Sequence, residues 1–143
     1  MRKTLSLLTA GLLLTSLAAC SSGGSKGDGR ECLDVSPEVM EAIAEGSNEF
    51  PITPVAAAAV KSVERSNVTI IALKFTEDAD PEEAQEAVWA VGGDLADFPG
   101  IGPWLAVDAV ADLYSDFPRQ IGGEELDATE DGATEALDCL VAL

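Results

Sequence analysis

From Thr4 to Ala19 the chain runs for sixteen residues without a charged side chain, directly after Arg2 and Lys3. A positive start followed by an apolar core of this length is the pattern of an export signal, so these residues are expected to be removed rather than folded. As a helix rising ~1.5 Å per residue the run reaches roughly 24 Å, short of the ~30 Å hydrocarbon core, so a permanent span is the weaker reading. The next stretch, Ser21 to Arg30 (SSGGSKGDGR), holds no apolar side chain and reads as a flexible tether. Its typical span is roughly 17 Å. The expected division is therefore 1–19 signal peptide, 20–30 cysteine and tether, and 31–143 a single extracytoplasmic domain.

The apolar run ends in Leu17-Ala18-Ala19-Cys20 followed by Ser21. This closely resembles the lipobox of bacterial prolipoproteins. The resemblance implies cleavage before Cys20, a diacylglyceryl group on its sulfur, and palmitate-class chains that hold the protein on the extracytoplasmic face of the cell membrane. Two acyl chains anchor durably where one does not. The alternative is an ordinary secretory signal with an incidental cysteine. If Cys20 is lipidated, Cys32 and Cys139 are the cysteines left, in a compartment where thiols oxidise, and we expect them to form a single disulfide. Two separate buried thiols are the weaker alternative for an exported chain.

Charge narrows function by exclusion. The chain has 26 Asp and Glu against 8 Lys and Arg, no His, and a formal charge of −18. Without histidine there is no Ser-His-Asp triad, no His-ligated zinc and no His-held haem. Phosphate backbones are repelled, which excludes nucleic acid as a partner. Every acidic residue lies beyond Cys20 with only six basic ones, leaving about −20 on the mature chain. Such a surface keeps the domain soluble and off anionic headgroups.

Local patterns give the elements. Ser36-Pro37-Glu38 starts a helix, with Val39, Met40 and Ile43 on one face and Gly46 at its end. Val55 to Glu64 and Val68 to Phe75 form a hairpin, the second strand central because it is apolar on both faces. Asp80-Pro81-Glu82-Glu83 reads as one helical turn before a strand through Val91, although helix and strand compete over 81–91. Trp104 to Val107 is the fourth strand, and Asp108 caps a helix to about Ser115. Asp127 to Glu130 has capping-box spacing for a last helix with Ala133, Leu137, Leu140 and Val141 inward. Short connections then favour α+β: a four-stranded antiparallel sheet covered by helices. The second half, with Val88-Trp89-Ala90-Val91, Asp94-Leu95 and Ala106 to Ala111 around a Gly-Pro loop, resembles small uncharacterised secreted or lipid-anchored domains of actinobacteria. That resemblance implies the sheet and brings no activity or ligand with it.

Candidate chemistry is sparse. The segment Asp127 to Asp138 (DATEDGATEALD) matches an EF-hand loop at Asp127, Asp131 and Gly132, but Thr129 and Asp138 depart from the ligands that calcium needs. No metal or other cofactor is expected. Asp108, Asp112 and Asp116 repeat at helical spacing and read as a solvated face. Gly92-Gly93 and Gly100 to Pro103 lack the lysine of a phosphate cradle and read as turns. Phe98, Ile101 and Trp104 stand among Gly and Pro, where large apolar groups either fold back onto the sheet or offer a partner surface. The leading expectation is a noncatalytic, lipid-anchored envelope module that binds a protein or small ligand. A carboxylate-dependent hydrolase of cell-wall sugar and a calcium-dependent module are the alternatives.

Overall fold

The computed structural model describes residues 29–143. Cys20, the signal segment and the tether through Asp28 lie outside the described residues. The run VTIIALKF, apolar on both faces, forms the centre of a five-stranded antiparallel sheet. Its order is β1 (Leu33–Asp34), β2 (Ile52–Lys61), β3 (Val68–Glu77), β4 (Asp80–Gly92) and β5 (Trp104–Ala106). Because successive strand residues point to opposite sides, β3 and β4 feed two cores. Ile71, Leu73, Phe75, Trp89 and Val91 meet α1 (Pro37–Glu45) and α2 (Ala109–Tyr114) on one face. Ile70, Ala72, Val88 and Ala90 meet α3 (Ala133–Val141) on the other. A short hairpin, β6 (Gln120–Ile121) with β7 (Glu124–Glu125), joins α2 to α3. The α+β class is as the sequence implies.

Four details differ from the local reading. The sheet has five strands rather than four, because Leu33 and Asp34 pair with Ala59 and Ala58; two residues are too few to carry a periodicity. Residues 80–83 extend β4 instead of forming a helical turn, and Ala84 already stands in register with Thr76. Asp80 pairs with Glu77 and Ala84 with Thr76, so Pro81 to Glu83 are held extended as a bulge between two paired positions, which overrides the local helix signal. Strand β2 starts at Ile52 and contains Pro54 beside a register shift. A proline is tolerated there because β1 covers only Ala58 and Ala59, leaving that stretch an edge. Finally, α3 starts after Gly132 and not at Asp127, and Val141 is exposed rather than inward.

Caps explain the helices that were legible. The Ser36 Oγ accepts from the Val39 N–H and the Asp108 carboxylate accepts from the Ala111 N–H. Gly132 has φ 96°, and a side chain there would lie 3.1 Å from Val60, Ile70 and the Arg30 guanidinium. Only glycine suits that approach. Cys32 and Cys139 form the expected disulfide with Cα atoms 5.7 Å apart, fastening α3 to the start of the domain.

The sheet has two distinct ends. Arg30, where the tether meets the domain, hydrogen-bonds the Lys61 carbonyl beside the β2–β3 turn. The Gly93 N–H donates to the Asn67 carbonyl, so the loop leaving β4 begins at this same tether end. Ile52, Glu77 and Asp80 are aligned at the far end, roughly 30 Å away along ten-residue β3 at ~3.4 Å per residue.

Candidate functional site

The loop from Gly93 to Pro103 is built by close backbone approach. The Gly102 N–H donates to the Gly92 carbonyl at 2.7 Å, and a side chain on Gly92 would stand 2.7 Å from the Gly102 oxygen. Asp94 caps the 3-10 turn Leu95–Asp97 by accepting from the Ala96 N–H. Lys61 pairs with Asp94 at 3.1 Å, and its ammonium also reaches the Thr69 hydroxyl at 3.0 Å. These bonds carry Phe98, Ile101 and Trp104 onto the α1/α2 face, where all three are half-buried against its core. Trp104 stacks on Phe117 with centroids 6.1 Å apart and planes 25° apart. The structure thus packs all three against the α1/α2-side core and sets Trp104 on Phe117, which local sequence did not single out. Its signal was only an aromatic among Asp, Pro and Arg.

Two surface depressions are lined by none of Phe98, Ile101 and Trp104. One, of about 430 Å³, is lined by Ser47, Asn48, Glu49 and Asp116. It is held by a miniature ladder: Asn48 donates through its backbone to Tyr114 and through its amide to the Leu113 carbonyl, while the Asp116 N–H donates to Gly46. The other, of about 280 Å³, lies between Leu33, Ser36 and Val39 on one side and Asp94 to Ala96 on the other. No protein family, curated protein or solved structure matches this chain. What the site can do is therefore argued from its own groups.

Those groups are arranged for structure more than for reaction. Burial pushes the Asp108 carboxyl upward, against hydrogen bonds from the Ala111, Val88 and Val110 amides. Its oxygens accept from Ala111 at 2.7 Å and Val88 at 3.0 Å, and it lines neither depression. Asp112 lies 3.9 Å from Arg119. Asp108 also feels the Arg119 charge, so it and Asp112 share a cation, while Asp116 lines the first depression.

The EF-hand positions also separate. Asp127 accepts from the backbone and hydroxyl of Thr129. Asp131 turns inward: it accepts from Arg30 at 2.5 Å, the Ser62 hydroxyl at 2.7 Å, and the Val63 and Glu64 amides at 2.6 and 3.0 Å. Burial alone would raise its pKa, but these donors outweigh it and hold the carboxyl well below the usual range. Beside it Arg65 pairs with Glu130 at 2.6 Å and Glu124 at 3.4 Å. This hub joins the tether end, the β2–β3 turn and α3. Sequence reasoning missed it because its partners lie 59 to 101 residues apart, and only Arg65-Ser66-Asn67 gave a local signal, that of a turn.

A second missed cluster sits at the far end, where the Tyr114 hydroxyl donates to Glu77 and accepts from Gln85 at 2.7 Å. The Glu77 bond raises the tyrosine pKa, and burial adds to that shift.

Proposed function

We propose that this protein is a lipid-anchored extracytoplasmic module of the cell envelope that binds a protein or small ligand and catalyses no reaction. Cys20 carries the acyl chains, the tether spaces the domain from the membrane, and Phe98, Ile101 and Trp104 with Phe117 contribute the binding margin. The observation that carries this reading is the Cys32–Cys139 bridge. Such bonds persist where thiols oxidise, outside the cytoplasm, and this one closes two residues beyond the tether. The structural employment of the raised carboxyl at Asp108, which accepts from the Ala111 and Val88 amides, favours binding over carboxylate-dependent hydrolysis.

Labelled palmitate is expected in the wild-type chain and absent from Cys20→Ala, which should remain uncleaved. Equal labelling of the two would remove the anchor. For the binding margin, Phe98→Ala and Ile101→Ala are expected to fold and to lose the partner retained by affinity capture from the membrane, a loss of roughly 2 kcal/mol or more for a central contact. Trp104→Ala should instead lower stability, because the ring is stacked and half-buried. Retention of every partner by all three variants would move the binding surface elsewhere.

A further inference from the structure

We propose that the outer edge of β4 from Ala84 to Ala87 is a docking site for an extended, basic segment of a partner protein, which adds to the sheet as a further strand. This rests on reading the domain as an interaction module. It depends neither on the lipid anchor nor on the Phe98 to Trp104 loop, which begins at the opposite end of the sheet.

The edge is defined by what β4 bonds on each side. Along its inner side it is in register with β3 from Ala84 to Gly92. Along its outer side β5 pairs only with Trp89, Ala90 and Val91. The groups next to that pairing give its phase. The Gly92 N–H donates to Pro103 and its carbonyl accepts from Gly102. The Val88 N–H donates to Asp108 and its carbonyl accepts from Val107. Even-numbered residues therefore point outward, and alternation continues this to Glu86 and Ala84. Both are exposed, and among the described residues no strand pairs with them on that side. Two N–H donors and two carbonyl acceptors stand in a row with the spacing a strand requires.

The other open edge, on β2, is closed by different means. Pro54 removes a donor and the register shift beside it bends the strand, devices that discourage any added strand. On the β4 edge the corresponding devices, Pro81 and the register shift opposite Thr76 and Glu77, end before Ala84. Its guard is charge: Asp80, Glu82, Glu83 and Glu86 are all exposed. Such a guard is selective. A second copy of this chain would bring Glu86 and the acidic run before it against their own kind and is repelled, whereas a strand bearing Lys or Arg meets the Glu86 carboxylate, the one charge between Ala84 and Ala87, with Asp80, Glu82 and Glu83 just before it. Lys74 already stands opposite Glu86 on β3, and an added strand would place a second cation on the other side of the same carboxylate. Main-chain bonds supply affinity in this mode of recognition, and alternate side chains supply selectivity.

The test uses the full chain and a blocked peptide of about ten residues alternating lysine and valine. A lysine–proline peptide of equal charge is the control that cannot pair. The lysine–valine peptide is expected to bind at least roughly tenfold more tightly and to slow amide exchange at Ala84 and Glu86 by a similar factor. Gln85 and Ala87, which face β3, should be unaffected. Ala84→Pro removes one outward donor without touching the β3 ladder and should abolish most of the binding, while Ala84→Gly keeps the donor and should retain it. Equal binding of the two peptides, or binding with no slowing at these two amides, overturns the proposal. If Ala84→Pro disturbs folding, the exchange pattern of the wild type decides alone. Failure here leaves the anchored-module reading standing, since palmitate labelling and membrane capture decide that separately.

Discussion

Cys32→Ser should lower unfolding free energy by roughly 2 to 5 kcal/mol, the usual loss when a native bridge is removed from an exported domain. The two cysteines are 107 residues apart in sequence. Closing so long a loop restricts the unfolded chain strongly, by about 4.7 kcal/mol in the chain-entropy estimate for a loop of roughly a hundred residues. In the folded state the same bond holds the C-terminal half of α3 against the start of β1, where Cys139 is 4% exposed within the α3-side core. Denaturant titration of wild type and variant measures the loss. Freshly isolated protein should also gain two hydrogens in intact mass only after reduction. Free thiols before reduction, or a variant as stable as the wild type, would contradict this account.

Asp131→Ala is expected to cost about 1.5 to 3 kcal/mol, the range for hydrogen bonds to a charged group, because its pair with Arg30 is partly buried. Its side chain is 10% exposed and that of Arg30 14%. Truncation removes the acceptor of the Ser62 hydroxyl and of the Val63 and Glu64 amides together. Asp131→Asn, which keeps one oxygen acceptor, should lose less. The pH dependence has a definite sign. Because the folded carboxyl titrates well below the unfolded value of ~3.9, its contribution is complete above about pH 4 and is lost as pH falls further. Wild type and Asp131→Asn should therefore converge in stability toward strongly acid pH. Excess calcium should leave the wild-type melting midpoint unchanged at matched ionic strength, since the Asp131 oxygens already have protein donors. A calcium-specific rise abolished by Asp131→Ala would show the EF-hand reading to be right after all.

Much of the fold was legible because its signals are local. Ser36 and Asp108 cap the helices they precede, and VTIIALKF, apolar on both faces, reads as a strand buried on both sides. The disulfide was inferred from compartment and count. The candidate margin was legible only as an oddity: Phe98, Ile101 and Trp104 stand out among Gly and Pro, but their shared surroundings with Phe117 depend on how the loop folds back.

Sequence alone, then, determined the α+β class, the central strand and which cysteines pair. Each of these follows from periodicity, composition or covalent chemistry within reach of neighbouring residues. Tertiary structure alone decided that 80–83 is strand, that Asp131 accepts from Arg30 and the β2–β3 turn, and that among the described residues β4 leaves two residues of its outer edge open. The physical reason is common to all three. Backbone pairing and inward-turned carboxylates take the partners the fold presents, whether across a hairpin, as Asp80 with Glu77 and Ala84 with Thr76, or from 67 to 101 positions away, as at Asp131, and those partners compete with the local preference of Asp-Pro-Glu-Glu for a helix and of an acidic loop for a cation.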